Sequence, residues 1–72
     1  MQDKINKYLC TIAKNTKKLR EKANLSQEDL AEKLGLSREF INRVENGKEN
    51  FSLQTFLSLT VIFDVEPKDL FE

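Results

Sequence analysis

The chain has 72 residues, with 12 basic and 12 acidic side chains, no histidine and one cysteine. That length allows one small domain, whose core is marginal enough to lean on a partner subunit. An internal disulfide and a multi-cysteine metal site are excluded, and the usual general base and commonest zinc ligand are missing.

No run approaches the roughly 18 apolar residues of a membrane span, and no signal-peptide pattern opens the chain. With 39% hydrophobic and 33% charged residues, a globular cytoplasmic domain is expected. The net charge of zero is unevenly spread: residues 1–25 carry +5, residues 26–50 carry −2 and residues 51–72 carry −3. A polyanion would meet the first third and avoid the last.

Ile5, Tyr8, Leu9, Ile12, Thr16, Leu19 and Ala23 recur at helical steps and predict a first helix over about residues 5–23, with a Lys-rich opposite face and Asn24 at its end. Cys10 lies among apolar residues and reads as a packed thiol. Ser26 then caps a second helix with Glu28 and Asp29 in its first turn, Leu30, Ala31 and Leu34 on its inner face, and Gly35 to end it. The same grammar repeats. Ser37 opens a third helix and Ser52 a fourth, and Pro67 stands at the first position of a short fifth. Leu25, Leu36, Phe51 and Val65 each precede an apolar residue by five positions, as a hydrophobic staple requires. The fold class expected is all-α, a compact five-helix domain.

The second and third helices are short and joined by a glycine turn, which is the sequence form of a helix-turn-helix. Turning the third helix at about 100° per residue with Ile41 inward puts Val44, Ser37, Lys48 and Glu45 on its inner side. Glu39, Asn42, Arg43 and Asn46 then face outward, with Arg38 and Phe40 on the flanks. Arg can bond guanine, Asn adenine and Glu the cytosine amino group, so this face can read base edges. It also fits a solvated surface, with Glu39 and Arg43 as an i,i+4 ion pair. Gln27, at the first position of the second helix, is placed to meet a phosphate, or is simply a helix-start residue. Glu45 on the inner side needs a donor, and Arg20 near the end of the first helix is the candidate for a structural salt bridge.

The string LSQEDLAEKLGLSREFINRVENGK, residues 25–48, resembles the helix-turn-helix of the phage repressor/Cro-like (XRE) family. The matching features are Ser26-Gln27, Leu30-Ala31, Gly35, Ser37 and the Ile41–Glu45–Gly47 ending, with a weaker likeness reaching Leu70-Phe71. The resemblance implies a lambda-repressor-like fold, operator DNA as partner and a homodimer, with no cofactor. By position it implies that Gln27 contacts phosphate and that Arg38, Glu39, Asn42 and Arg43 face bases or adjacent phosphates. Asn46 and Lys48 would meet the backbone beyond, with Ser37 at the helix start, and Arg20 and Glu45 match the family's buried ion pair.

The chain departs from the family where Asn50-Phe51 replaces Asn-Pro, a feature that resembles controller proteins of restriction–modification systems. It also departs in the apolar excess of the fourth helix. Phe51, Leu57, Val61, Ile62 and Phe63 are the expected dimer interface. The expected function is a transcriptional regulator, not an enzyme, that acts as a homodimer on a two-fold-symmetric operator, controls a restriction–modification operon including its own gene, and works through its own concentration without an effector domain. Glu28, Asp29 and Glu32 would serve a contact with RNA polymerase, or are merely solvated. A phage or plasmid repressor, an antitoxin and a protein-interaction module reusing the fold stay open as alternatives.

Overall fold

Four α-helices follow one another: α1 (Gln2–Lys22), α2 (Gln27–Leu34), α3 (Arg38–Glu45) and α4 (Leu53–Phe63), with a single 3-10 turn at Pro67–Leu70. They are those of a computed structural model that describes residues 1–72.

Each helix boundary is made by local chemistry. Ser26, Ser37 and Ser52 sit in extended backbone, and their hydroxyls accept from the amides of Asp29, Phe40 and Thr55 at 2.9, 3.1 and 3.2 Å. These bonds satisfy donors that a helix start leaves free. Asp29 returns the bond, accepting from the Ser26 amide at 3.0 Å. That backbone bond, with the Ser26 hydroxyl, holds the Asp29 carboxyl below its usual range.

All four α-helices end the same way. Asn24, Gly35, Gly47 and Asp64 have φ of 59, 69, 74 and 54°. The amide after each left-handed residue bonds back to the carbonyl five positions earlier: Leu25 to Arg20 at 3.0 Å, Leu36 to Ala31 at 2.9 Å, Lys48 to Arg43 at 2.9 Å and Val65 to Thr60 at 3.0 Å. This left-handed cap reverses the chain and, in three cases of four, drops an apolar residue straight onto the body of the protein.

The core is a cluster of Leu30, Ala31, Ile41, Leu59 and Leu70, packed against by Leu19, Leu34, Leu36, Phe51, Phe56, Ile62 and Phe63. The Asn15 amide donates to the Leu70 carbonyl at 2.9 Å and ties α1 to the C-terminal turn.

Three expectations are corrected. The fifth helix is only a 3-10 turn. Its four residues are closed by i→i+3 bonds, Asp69 to Glu66 at 2.9 Å and Phe71 to Lys68 at 3.0 Å, and it is too short to nucleate an α-helix. On α1, Thr16 is buried and Leu9, Ile12 and Leu19 are half-buried as expected, but Ala13 and Arg20 are buried as well, while Ile5 and Tyr8 are 43% and 48% exposed and Ala23 is exposed. Periodicity marks an apolar stripe but does not say how far the other helices reach along it, and the first two turns of α1 are left exposed. Cys10 is exposed rather than packed, beside the turn at Gly47.

Leu30 is wholly buried and Leu53 is 74% exposed. Leu30→Ala is expected to cost about 2–5 kcal/mol, and Leu53→Ala less than about 0.5 kcal/mol. Urea unfolding of the two variants checks the difference, and similar losses would contradict this core.

Candidate nucleic-acid interface

Gly35-Leu36-Ser37 fixes α3 across α2, with Ile41 and Val44 buried beneath it and a row of polar side chains left outside. Gln27, Arg38, Glu39, Asn42 and Arg43 line one shallow depression that contains no hydrophobic residue. Thus the start of α2 and the outer face of α3 form one continuous polar surface. A B-DNA major groove, about 12 Å wide, admits one such helix.

Beneath this surface lies the ion pair. The Arg20 guanidinium donates to Glu45 from Nε at 2.7 Å and from Nη2 at 3.1 Å, and its Nη1 donates to the Leu25 carbonyl at 2.8 Å. The two side chains are 10% and 2% exposed. The hydrogen bond to Glu45 raises the Arg20 pKa above its ordinary value. Removing one partner strands a buried charge, so the pair locks α1 to the end of α3.

Gln27 is half-buried, and its amide nitrogen donates to Glu45 Oε1 at 3.0 Å, an attachment not foreseen from sequence. Its oxygen accepts from Asn42 Nδ2 at 3.4 Å. Asn46 caps the end of α3, donating to the Asn42 carbonyl at 2.8 Å and to Asn42 Oδ1 at 3.2 Å. Ser37 has its oxygen in the α3 cap, and Lys48 is exposed just past Gly47.

Arg43 does not pair with Glu39. Its Nε lies 3.5 Å from Glu49 Oε2, and its guanidinium is 5.8 Å from the Phe40 ring centroid. Phe40 is on the flank away from Glu39, and the turn at Gly47 brings Glu49 back beside α3. Both partners are about half exposed, at 50% and 45%, so the pair is weak and easily exchanged for another ligand. Glu49 was missed in the sequence because the turn's path is not a local property, whereas Phe40, placed there only on a flank, is an i,i+3 neighbour of Arg43 that the helical spacing could have paired with it.

The basic charge of the first third is not gathered on α3. Arg20 is consumed by Glu45, and Lys14, Lys17 and Lys18 line a separate depression with Glu21 and Glu72.

The helix-turn-helix family HTH_3 matches residues 17–70. The chain belongs to this family. Its members are DNA-binding transcriptional regulators, and this chain is one by that membership. An uncharacterised HTH-type transcriptional regulator of Methanocaldococcus jannaschii is 46% identical over 48 residues, covering 67% of this chain and 73% of its own. The control protein C.MunI of a Mycoplasma species is 39% identical over 56 residues, 76% of each chain. Among solved structures, the restriction–modification controller C.AhdI from Aeromonas hydrophila superposes with a TM-score of 0.78 and 40% identity, covering 88% of this chain and 96% of that one. No helix of this helix-turn-helix protein is long and apolar enough to cross a membrane.

Glu45→Ala is expected to cost about 3–5 kcal/mol, because Arg20 then stays buried beside one carbonyl. A double change to Arg20→Met with Glu45→Met should recover most of that loss. Denaturant midpoints of both variants provide the check, and a single-variant loss under about 1 kcal/mol would mean that the pair is already solvated.

Proposed function

We propose that this regulator acts as a homodimer on a two-fold-symmetric operator and controls a restriction–modification operon that includes its own gene. The observation that carries the reading is the likeness to C.AhdI over nearly the whole of both chains, joined by the control proteins C.BamHI and C.MunI.

Each subunit lays α3 in one major groove, with half-sites about one turn, 10–10.5 base pairs, apart or a multiple of it. Arg38, Glu39, Asn42 and Arg43 meet base edges or neighbouring phosphates. Gln27, Ser37, Asn46 and Lys48 approach the backbone, which makes the affinity salt-dependent.

The dimer is proposed through α4. Leu57 and Val61 are 43% and 80% exposed one turn apart on the same helix, an apolar pair with no use in the monomer. Phe51, Ile62 and Phe63 contribute less than their hydrophobicity suggests, since each is half-buried against the subunit's own core. For activation, Glu28 and Glu32 are the free acids of α2 that offer RNA polymerase a contact, whereas Asp29 is engaged by the Ser26 cap. A second reading, a regulator unconnected with restriction, is favoured by the likeness to the uncharacterised Methanocaldococcus jannaschii regulator.

Selection from a random duplex pool at about physiological salt tests the core of this reading. An enriched two-fold-symmetric site is expected, and a folded, dimeric protein that enriches nothing overturns it. On the selected site Arg43→Ala should lose about 1–3 kcal/mol and relax preference at one position per half-site. Equal losses on selected and random duplexes would remove Arg43 as a base reader. Val61→Glu should weaken the dimer, and an unchanged dimer in sedimentation at micromolar concentration would move the interface elsewhere.

A further inference from the structure

The hydrogen bonds around Gln27 run in one direction, and a buried anion sets it. Glu45 is 2% exposed and, being ionised, can only accept. The Gln27 amide therefore has to turn its NH2 toward Glu45, at 3.0 Å, and its oxygen outward. That oxygen faces Asn42, so Asn42 has to present its own NH2 to α2, at 3.4 Å. The Asn42 oxygen then points along α3, where Asn46 donates to it at 3.2 Å while anchored on the Asn42 carbonyl at 2.8 Å. Reversing the Asn42 amide alone would set oxygen against oxygen on one side and NH2 against NH2 on the other.

Asn42 is exposed on the outer face of α3. An isolated asparagine there would populate both amide orientations, which exchange donor and acceptor. With the chain intact, Asn42 keeps one N–H and one lone pair free, the combination that an adenine edge takes. For a given seating of α3, only one order of that pair matches the base.

We propose that Gln27 is a positioning residue that carries the direction of the buried Glu45 carboxylate to Asn42, and so sets which base Asn42 prefers. The proposal rests on the DNA-reading function above and adds to it a selectivity determinant that need not touch a base itself. It differs from a simple phosphate contact by Gln27, which would add affinity for every sequence alike.

The test is the random-duplex selection, run in parallel on the full chain and on Asn42→Ala, Gln27→Lys and Gln27→Met. The base position whose preference Asn42→Ala removes is the one that Asn42 reads. Lysine at position 27 can still donate to Glu45 and to a phosphate, but it offers Asn42 no acceptor. Methionine keeps the bulk and removes both ends of the relay. The expected result is about a tenfold or greater fall in discrimination at the Asn42 position in either variant, with preferences elsewhere in the half-site kept. Neither variant should change that position further when combined with Asn42→Ala.

Circular dichroism establishes which variants are folded, and the two substitutions load the helix start differently, so one folded variant suffices. If the parent enriches a site and the folded variant keeps the Asn42 preference, or loses affinity equally for all duplexes, the relay is overturned while the DNA-reading function stands. If the parent enriches no site, both fall.

Discussion

Arg20 binds three things at once: both oxygens of Glu45 on α3 and the Leu25 carbonyl in the turn before α2. One guanidinium therefore fixes the relation of three helices, and the position of α3 relative to α2 is what makes the outer face usable. The cost of taking both charges out of water is high, and apolar residues of similar volume would give comparable or greater stability. What the pair supplies is geometry. A buried leucine can slide against its neighbours by a fraction of an ångström, whereas a two-pronged ion pair with a third bond to the backbone has one good arrangement. The same carboxylate then holds Gln27 at 3.0 Å, so the interior constraint reaches the polar outer surface of α2 and α3.

That surface is otherwise built to be exchangeable. Arg43 rests between Glu49 and the Phe40 ring in contacts that are half exposed and cheap to give up. Exposed contacts of this kind are readily exchanged for those of a bound partner. A zero net charge fits the same design: with Lys14, Lys17 and Lys18 of α1 on a separate depression, general attraction to polyanions is small beside what the shaped face itself can supply.

The apolar surface follows a different logic. Ile5, Tyr8, Leu53, Leu57, Val61 and Phe71 are all exposed at 43% or more, a large share for so small a core. Tyr8 meets Phe71 edge-on at 6.3 Å, and Phe71 lies 5.5 Å from Phe56, so the N-terminal part of α1 and the C-terminal turn meet in an exposed aromatic cluster at the edge of the core.

The sequence by itself determined where helices start and stop. Ser26, Ser37 and Ser52 cap, Asn24 and Gly35 terminate, and the apolar residues that flank them staple, because all of these act within five or six positions along the chain. It also determined that Glu45 turns inward and requires Arg20, since helical rotation and the cost of an unpaired buried carboxylate are rules that need no coordinates. Only the tertiary structure decided which partner each side chain takes. Arg43 turns to Glu49 and Phe40 rather than Glu39, Gln27 turns to Glu45, Ile5 and Tyr8 lie outside the core, and Phe51, Ile62 and Phe63 pack inward while Leu57 and Val61 do not. These outcomes depend on how far one helix extends past another and at what angle they cross. Those quantities emerge from the sum of many weak contacts between distant residues, and no local pattern encodes them.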